Sequence, residues 1–500
     1  MTAERARALV LLSTIVGASV VYIDTTAVNL ALPVMQQEFS AGIDFLQWVI
    51  DSYLLFVAAP MLAAGALCDR FGAGWVYITG GAIFTVASIL CGIADSGNML
   101  IAARMLQGLG GGLLAPAALA LIAAVYPANQ LGRGIGIFVT ASALTSLLGP
   151  LLGGWLIDNL SWRWIFFINP AITFASFVVL FSAGKLNVTR REVQLDITGA
   201  LLVTIGLGMV VWGLIGTVKP DVQGFAVAAV SIGLFVLALF LLNEARLGDR
   251  AMMPVVYFRD PTFLGITLVT LIFYAGLLVF MFYAPLFLIQ IWRFDAFTAG
   301  AASLPFVLML SAASFISGRI TDRFGARRPL IAGLTIATFG FSGFLMLNTE
   351  IRYLEIALPV YLVTGAGMGL LISPLTKIAI NSLPDHLTGI ASAINHTVSR
   401  IGGMIGIPIS GLIVVSVFSR SLQEKLEELP ISLSEQERML SQSHNLMGID
   451  FPINIQDTVR IDIEEALRGA FVDGFHGAIW VVVGGGIISV MLSWLLVDRK

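Results

Sequence analysis

Apolar residues run through this chain in blocks far too long to be one face of a soluble helix, and short polar stretches separate the blocks. Read as membrane spans of about 18–25 residues, the blocks predict fourteen helices. Their limits fall near 8–35, 45–68, 75–94, 99–124, 133–157, 163–184, 197–217, 224–243, 262–290, 298–318, 328–347, 354–376, 388–418 and 476–497. The first block follows Glu4, Arg5 and Arg7, as the apolar part of a signal peptide would. It is long and interrupted by Asp24 instead of ending at a cleavage site, so it reads as a retained helix. The stretch 419–475 breaks the pattern. Between Ser419 and Asp473 it carries eleven acids against five bases, with helix-start signals at Ser434, three residues before Glu437, and at Asp457. It reads as an outward-facing segment, either a solvated spacer or a lid or partner-docking element.

A repeat lies on top of this periodicity. Asp69-Arg70-Phe71-Gly72-Ala73 recurs 253 residues later as Asp322-Arg323-Phe324-Gly325-Ala326, with Gly65 and Gly318 four residues upstream and Gly80 and Gly333 in the same register. One signature in each half predicts two related six-helix bundles, 1–190 and 261–500, with an inserted helix pair in 191–260. The class is an all-α polytopic membrane protein, and such repeats mark secondary transporters. Asp69 and Asp322 close the second helix of each bundle. There a carboxylate can cap a neighbouring helix and pair with arginines in one access state only. Gly65, Asp69, Arg70, Gly72, Gly318, Asp322 and Arg323 are therefore candidate conformational residues.

Composition narrows the class. Hydrophobic residues make up 57% of the chain and charged residues 12%, more apolar surface than a soluble domain hides, and a net charge of −3 offers nothing for nucleic acid. Sixteen lysines and arginines, among them Lys185, Arg190, Arg191 and Arg250, fall on the side of the N-terminus. The short loops opposite hold four: Arg163, Lys219, Arg293 and Arg352. This asymmetry places both termini in the cytoplasm. Cys68 and Cys91 sit at opposite ends of antiparallel spans and cannot pair. Four scattered histidines and no hydrolase or zinc signature argue for neither a metal site nor an enzyme.

Charges inside spans are costly unless they face a wet cavity or a partner. In the first bundle these are Asp24, Asp51 and Arg104, all in the outer half. Arg104, Gln107, Gly108 and Gly111 share a helix face, which is expected to line a cavity and bring Arg104 to Asp24. Asp24, Asp51 and Arg104 are the proton-coupling candidates. The second bundle has no deep carboxylate and offers Asn395, His396 and Arg400, which with Asp24, Asp51 and Gln107 make up the substrate-cavity candidates. Lys377 reads as snorkelling from the end of helix 12. Gly149 with Gly153, and Gly402 with Gly406, have the spacing that lets helices approach closely in lipid.

The segment Asp24-Thr25-Thr26-Ala27-Val28-Asn29-Leu30-Ala31-Leu32-Pro33 resembles the first-helix signature of the 14-span drug:proton antiporters of the major facilitator superfamily. Further matches are Gln47-Trp48-Val49, Arg104-Met105-Leu106-Gln107-Gly108, Gly149-Pro150-Leu151-Leu152-Gly153-Gly154, Trp162 through Pro170, and Ala470 through Phe475. The pattern is broken at Ala73-Gly74-Trp75, where basic residues are usual, and at Thr145, where a glycine is usual. The resemblance implies a major facilitator fold of two six-helix bundles plus two inserted helices. It implies export of amphipathic small molecules by alternating access, driven by the proton gradient with no cofactor. Gly149, Pro150 and Gly153 would serve gating. The protein would sit multi-pass in a bacterial inner membrane, with the bilayer, a small-molecule substrate and, in a Gram-negative source, a periplasmic adaptor as partners. Proton-coupled uptake and a non-transporting sensor on the same scaffold are the alternative readings.

Overall fold

A computed structural model of the protein describes residues 3–184, 196–217, 222–248, 251–383, 388–449, 451 and 457–497. Lys185, Arg190, Arg191, Lys219 and Arg250 of the charge-asymmetry argument lie outside these. Among the described residues the ordered elements are all helical. Thirteen helices are long and apolar enough to cross a membrane, and the Pro60-containing second helix, bent by 51° between Ala58 and Ala63, makes a fourteenth. The protein is a multi-pass membrane protein.

Contacts divide the chain into two compact units. The first comprises Met1–Ala31, Val49–Gly208 and Leu234–Val256. It contains most of α1 (Ala3–Glu38) and α2 (Ile43–Phe71), all of α3 (Ala73–Gly92), α4 (Gly97–Val125), α5 (Ala128–Asn159) and α6 (Trp164–Ser182), and parts of α7 (Ile197–Gly216) and α8 (Gln223–Leu247). The second comprises Leu32–Trp48, Met209–Gly233 and Tyr257–Lys500. Its helices are α9 (Pro261–Gln290), α10 (Ala296–Phe324), α11 (Arg327–Gly343), α12 (Leu358–Asn381), α13 (Thr388–Glu427), the short α14 (Leu433–Ser441) and α15 (Asp457–Leu496). The α1–α2 corner is fastened into this second unit by glutamines. Gln36 Nε2 donates to the Asn445 carbonyl at 2.9 Å, Gln290 Nε2 to Gln36 Oε1 at 2.8 Å, and Gln47 Nε2 to the Ile407 carbonyl at 3.1 Å.

The repeat extends well beyond the pentapeptide. In α4, alternate glycines face two neighbours at once. A methyl group on Gly108 or Gly112 would stand 2.5 Å from the carbonyl oxygen of Tyr53 or Val57 in α2, and one on Gly110 would stand 2.5 Å from the Phe84 nitrogen in α3. In α12, Gly365 and Gly369 lie in the same way against the carbonyls of Phe306 and Leu310, and Gly367 against the nitrogen of Ala337. Each α2 and α3 contact recurs 253 residues later in α10 and α11. Gly149 and Gly153 of α5 lie against Thr26 and Ala27 of α1, while Gly402 and Gly406 of α13 lie against Leu271 and Ala275 of α9. Backbone contact of this kind draws helices together by dispersion where lipid removes any hydrophobic drive. Gly72 and Gly325 both take the left-handed region, with φ of 93° and 77°, as the repeated turn requires.

α13 runs on to Glu427, past the limit expected near residue 418, and α15 starts at Asp457, where the sequence places a helix start. Asp473 Oδ2 accepts from Ser421 Oγ at 2.6 Å and Lys425 Nζ at 3.3 Å, so polar bridges extend the helix pair past its apolar part. The start expected at Ser434 lies two residues earlier, where Ser432 and Glu435 form a reciprocal capping box.

Candidate functional site

Polar side chains collect at one place in the first unit. Arg104 Nη1 lies 2.5 Å from Asp24 Oδ2, with the two side chains 1% and 0% exposed. Gln107 Nε2 donates to the other oxygen, Asp24 Oδ1, at 3.0 Å and to Ser88 Oγ at 2.9 Å, and Ser88 Oγ also accepts from Asn169 Nδ2 at 3.3 Å. Arg104 donates in addition to the Val49 carbonyl at 3.1 Å and to Gln107 Oε1 at 2.7 Å, and its guanidinium stacks 4.2 Å from the Tyr53 ring centroid. Five helices, α1, α2, α3, α4 and α6, thus supply a network in which each oxygen of Asp24 has a donor. Arg104 reaches Asp24 as expected, and the shared helix face brings Gln107 to it as well. Ser88, Asn169 and Tyr53 were not singled out there. Asn169, a polar residue inside the apolar α6, carried the visible signal.

Asp51 stands apart from this network. It is fully buried in α2, and among the described residues neither carboxylate oxygen has a hydrogen-bond partner. An ionised carboxylate in that setting would lack compensation. In the second unit, Asn395 Oδ1 accepts from Thr270 Oγ1 at 2.9 Å and is buried, whereas His396 is exposed and Arg400 half-buried. Gly403, on the same face as Arg400, packs against Leu278 of α9.

The paired motifs have unlike surroundings. A methyl group on Gly65 would touch nothing within 4 Å, and one on Gly318 would meet only Ser373 Oγ at 3.9 Å. Arg70 and Arg323 each lie over the phenylalanine that follows, at 5.5 and 5.3 Å. Lys377 does not simply snorkel. Its ammonium group is 2.6 Å from Asp322 Oδ1, a partner that the folded chain supplies from 55 residues away. Asp69 is exposed. Cys68 and Cys91 are both free and buried, and no cluster of metal-ligating side chains occurs among the described residues.

The family model described as Major Facilitator Superfamily matches residues 14–407. The chain belongs to this superfamily. It is 31% identical to the multidrug resistance protein Stp of Mycobacterium tuberculosis (strain CDC 1551 / Oshkosh) over 85% of this chain and 79% of the relative. It is 29% identical to the tetracenomycin C resistance and export protein of Streptomyces glaucescens over 98% of this chain and 91% of that one. Among solved structures, the superfamily fold recurs in a bacterial homologue of the human lysosomal transporter Spinster, inward-facing and unoccupied, with a TM-score of 0.68 at 14% identity over 98% of both chains. It also recurs in a D-xylose–proton symporter, with a TM-score of 0.62 at 14% identity and the same coverage. At such identities the likeness establishes the fold alone.

Proposed function

We propose that this superfamily member is a proton-coupled exporter of amphipathic small molecules. It works by alternating access in a bacterial inner membrane, with both termini cytoplasmic. Export is supported by the names of relatives that confer drug resistance, and the orientation by the sixteen-to-four excess of basic residues on one side. Transport, not catalysis, is the activity that fits a chain of this family.

One contrast carries the coupling. Asp24 is compensated where it stands, by Arg104 and Gln107, while Asp51 has no donor among the described residues. Asp51 therefore holds its proton in the described arrangement and loses it when water or a cationic substrate offers compensation. Proton and cationic substrate compete for this carboxyl group, and that competition makes the exchange obligatory. Asp24 and Arg104 keep the neighbouring helices in register.

The test is transport in proteoliposomes under an imposed pH gradient, across cationic, neutral and anionic amphipathic dyes. One pH unit supplies about 1.4 kcal/mol per proton, enough for roughly tenfold accumulation at one-to-one exchange. Accumulation should follow the gradient's sign and favour cationic dyes. Dye flux indifferent to the gradient would overturn the reading.

A further inference from the structure

A second carboxyl group is buried outside the polar network, at the end of α8. Glu244 is 0% exposed. Its Oε2 accepts the Met253 amide at 2.6 Å, and its Oε1 has no partner. Facing it, Asp196 caps α7. Asp196 Oδ1 accepts the Gly199 amide at 2.8 Å and Oδ2 accepts from Asn243 Nδ2 at 3.2 Å. The free oxygen of Glu244 and Oδ2 of Asp196 converge on one point above the Gly199 backbone. A methyl group there would stand 2.8 Å from Glu244 Oε1 and closer still to Asp196 Oδ2. Two carboxylates this close cannot both be ionised without a cation between them.

Among the described residues, Asp196 is the charged group set against Glu244. The other neighbours acting on it are the neutral Asn243 and the Met253 amide, while Arg246 on α8 and Arg259 beyond the turn are exposed. We infer that Asp196 and Glu244 form a proton-binding site, one proton bridging Asp196 Oδ2 and Glu244 Oε1, which clamps the segment after α8. Both oxygens of Asp196 already accept from donors, Gly199 N–H and Asn243 Nδ2, whereas Glu244 Oε1 has none among the described residues, so the proton is placed on Glu244. Loss of that proton sets two negative charges against each other and drives Glu244 off its partner. The Met253 amide is released with it, and so is the start of the segment that leads through Val255–Arg259 into α9. By the alternation of spans, this site lies at the end of the first unit that bears Asp69, apart from Asp24 and Asp51.

The apolar carbodiimide N,N′-dicyclohexylcarbodiimide reacts with buried carboxyl groups in their protonated form, so it reports the proton without a transport substrate. The purified full-length protein in lipid nanodiscs is labelled from about pH 5 to about pH 9 and mapped by mass spectrometry. Labelling at Glu244 should fall about tenfold per pH unit once the bridging proton is lost. Asp196→Asn removes the like charge that retains the proton, so labelling should fade at a lower pH than in the wild type. Glu244→Gln should abolish labelling of that peptide alone. In the wild type, hydrogen exchange at Met253 should rise across the same interval beyond the intrinsic pH dependence of amides. No labelling at Glu244 at any pH, a profile unmoved by Asp196→Asn, or Met253 exchange that follows only the intrinsic rate would each overturn the assignment. None of these readouts depends on the direction or substrate of transport.

Discussion

Arg104 Nη1 and Asp24 Oδ2 meet at 2.5 Å with both side chains closed to solvent. Breaking a buried pair from one side leaves the other charge uncompensated, at a cost of about 3–5 kcal/mol. Arg104→Gln should therefore lower the melting temperature sharply. Asp24→Asn should do less harm, because Arg104 keeps the Val49 carbonyl, Gln107 Oε1 and the Tyr53 ring. The double variant should recover part of the Arg104→Gln loss. Unfolding curves in which the two effects simply add would show that the pair is uncoupled.

Asp51 is expected to respond in the opposite way. An amide in place of a buried carboxyl group that lacks donors removes the cost of keeping that group neutral near pH 7, so Asp51→Asn should melt no lower than the wild type. The same change should cancel the roughly tenfold accumulation that one pH unit supports, while leaving exchange of labelled for unlabelled dye intact. A variant that still accumulates dye in response to the gradient would remove Asp51 from the coupling path.

Gly110 and Gly367 separate packing from motion when set beside Gly65. Alanine at Gly110 or Gly367 would force a methyl group against the backbone of Phe84 or Ala337, and overpacking of this kind costs about 1–3 kcal/mol. Both variants should be recovered in lower yield and unfold at lower temperature. Gly65→Ala meets nothing within 4 Å, so its melting temperature should stay unchanged. If Gly65 serves a different access state, its alanine variant loses turnover all the same. Unchanged turnover would assign Gly65 no conformational role.

These particulars show how far the sequence could be read. Arg104 reached Asp24 as expected because helical spacing set Arg104 and Gln107 on one face and lipid left a charge few other places to go. The bundle repeat was legible because a tight glycine turn and close helix contacts leave little choice of residue. Asp51 gave no sign that it lacks a partner, since that depends on what three-dimensional packing leaves out. Glu244 is not legible as a buried group because an acid in the last turn of an apolar helix looks like one in solvent. The Lys377–Asp322 contact was hidden by 55 residues of intervening chain.

That contact makes its own prediction. Both side chains are largely exposed, so the ion pair adds only about 0–1 kcal/mol to stability. If it instead selects between access states, Lys377→Ala and Asp322→Asn should lower turnover equally and should not add when combined. Apparent dye affinity and melting temperature should change little. Additive losses would mean that the two residues act separately.

The short helix α14 tests the corrected boundary through pH. Glu435 Oε2 accepts from Ser432 Oγ at 2.5 Å and from the Ser432 amide at 2.9 Å, and the Glu435 amide donates back to Ser432 Oγ at 3.3 Å. The Ser432 hydroxyl and amide hold the Glu435 carboxyl group below its ordinary value of 4.5. A group whose folded value is depressed contributes stability above its unfolded value, and that contribution is lost as pH falls through the folded value. Hydrogen-exchange protection of Leu433–Ser441, corrected for intrinsic rates, should therefore be full near neutrality and drop in acid, below the ordinary carboxylate value. Ser432→Ala should lower protection already at neutral pH and flatten the acid step. Among the described residues Ser434 Oγ meets Ser432 Oγ, at 3.1 Å, and takes no part in the Ser432–Glu435 capping box, so Ser434→Ala should leave both features in place. The reverse pattern, with Ser434→Ala opening the helix and Ser432→Ala silent, would return the helix start to the Ser434–Glu437 pair.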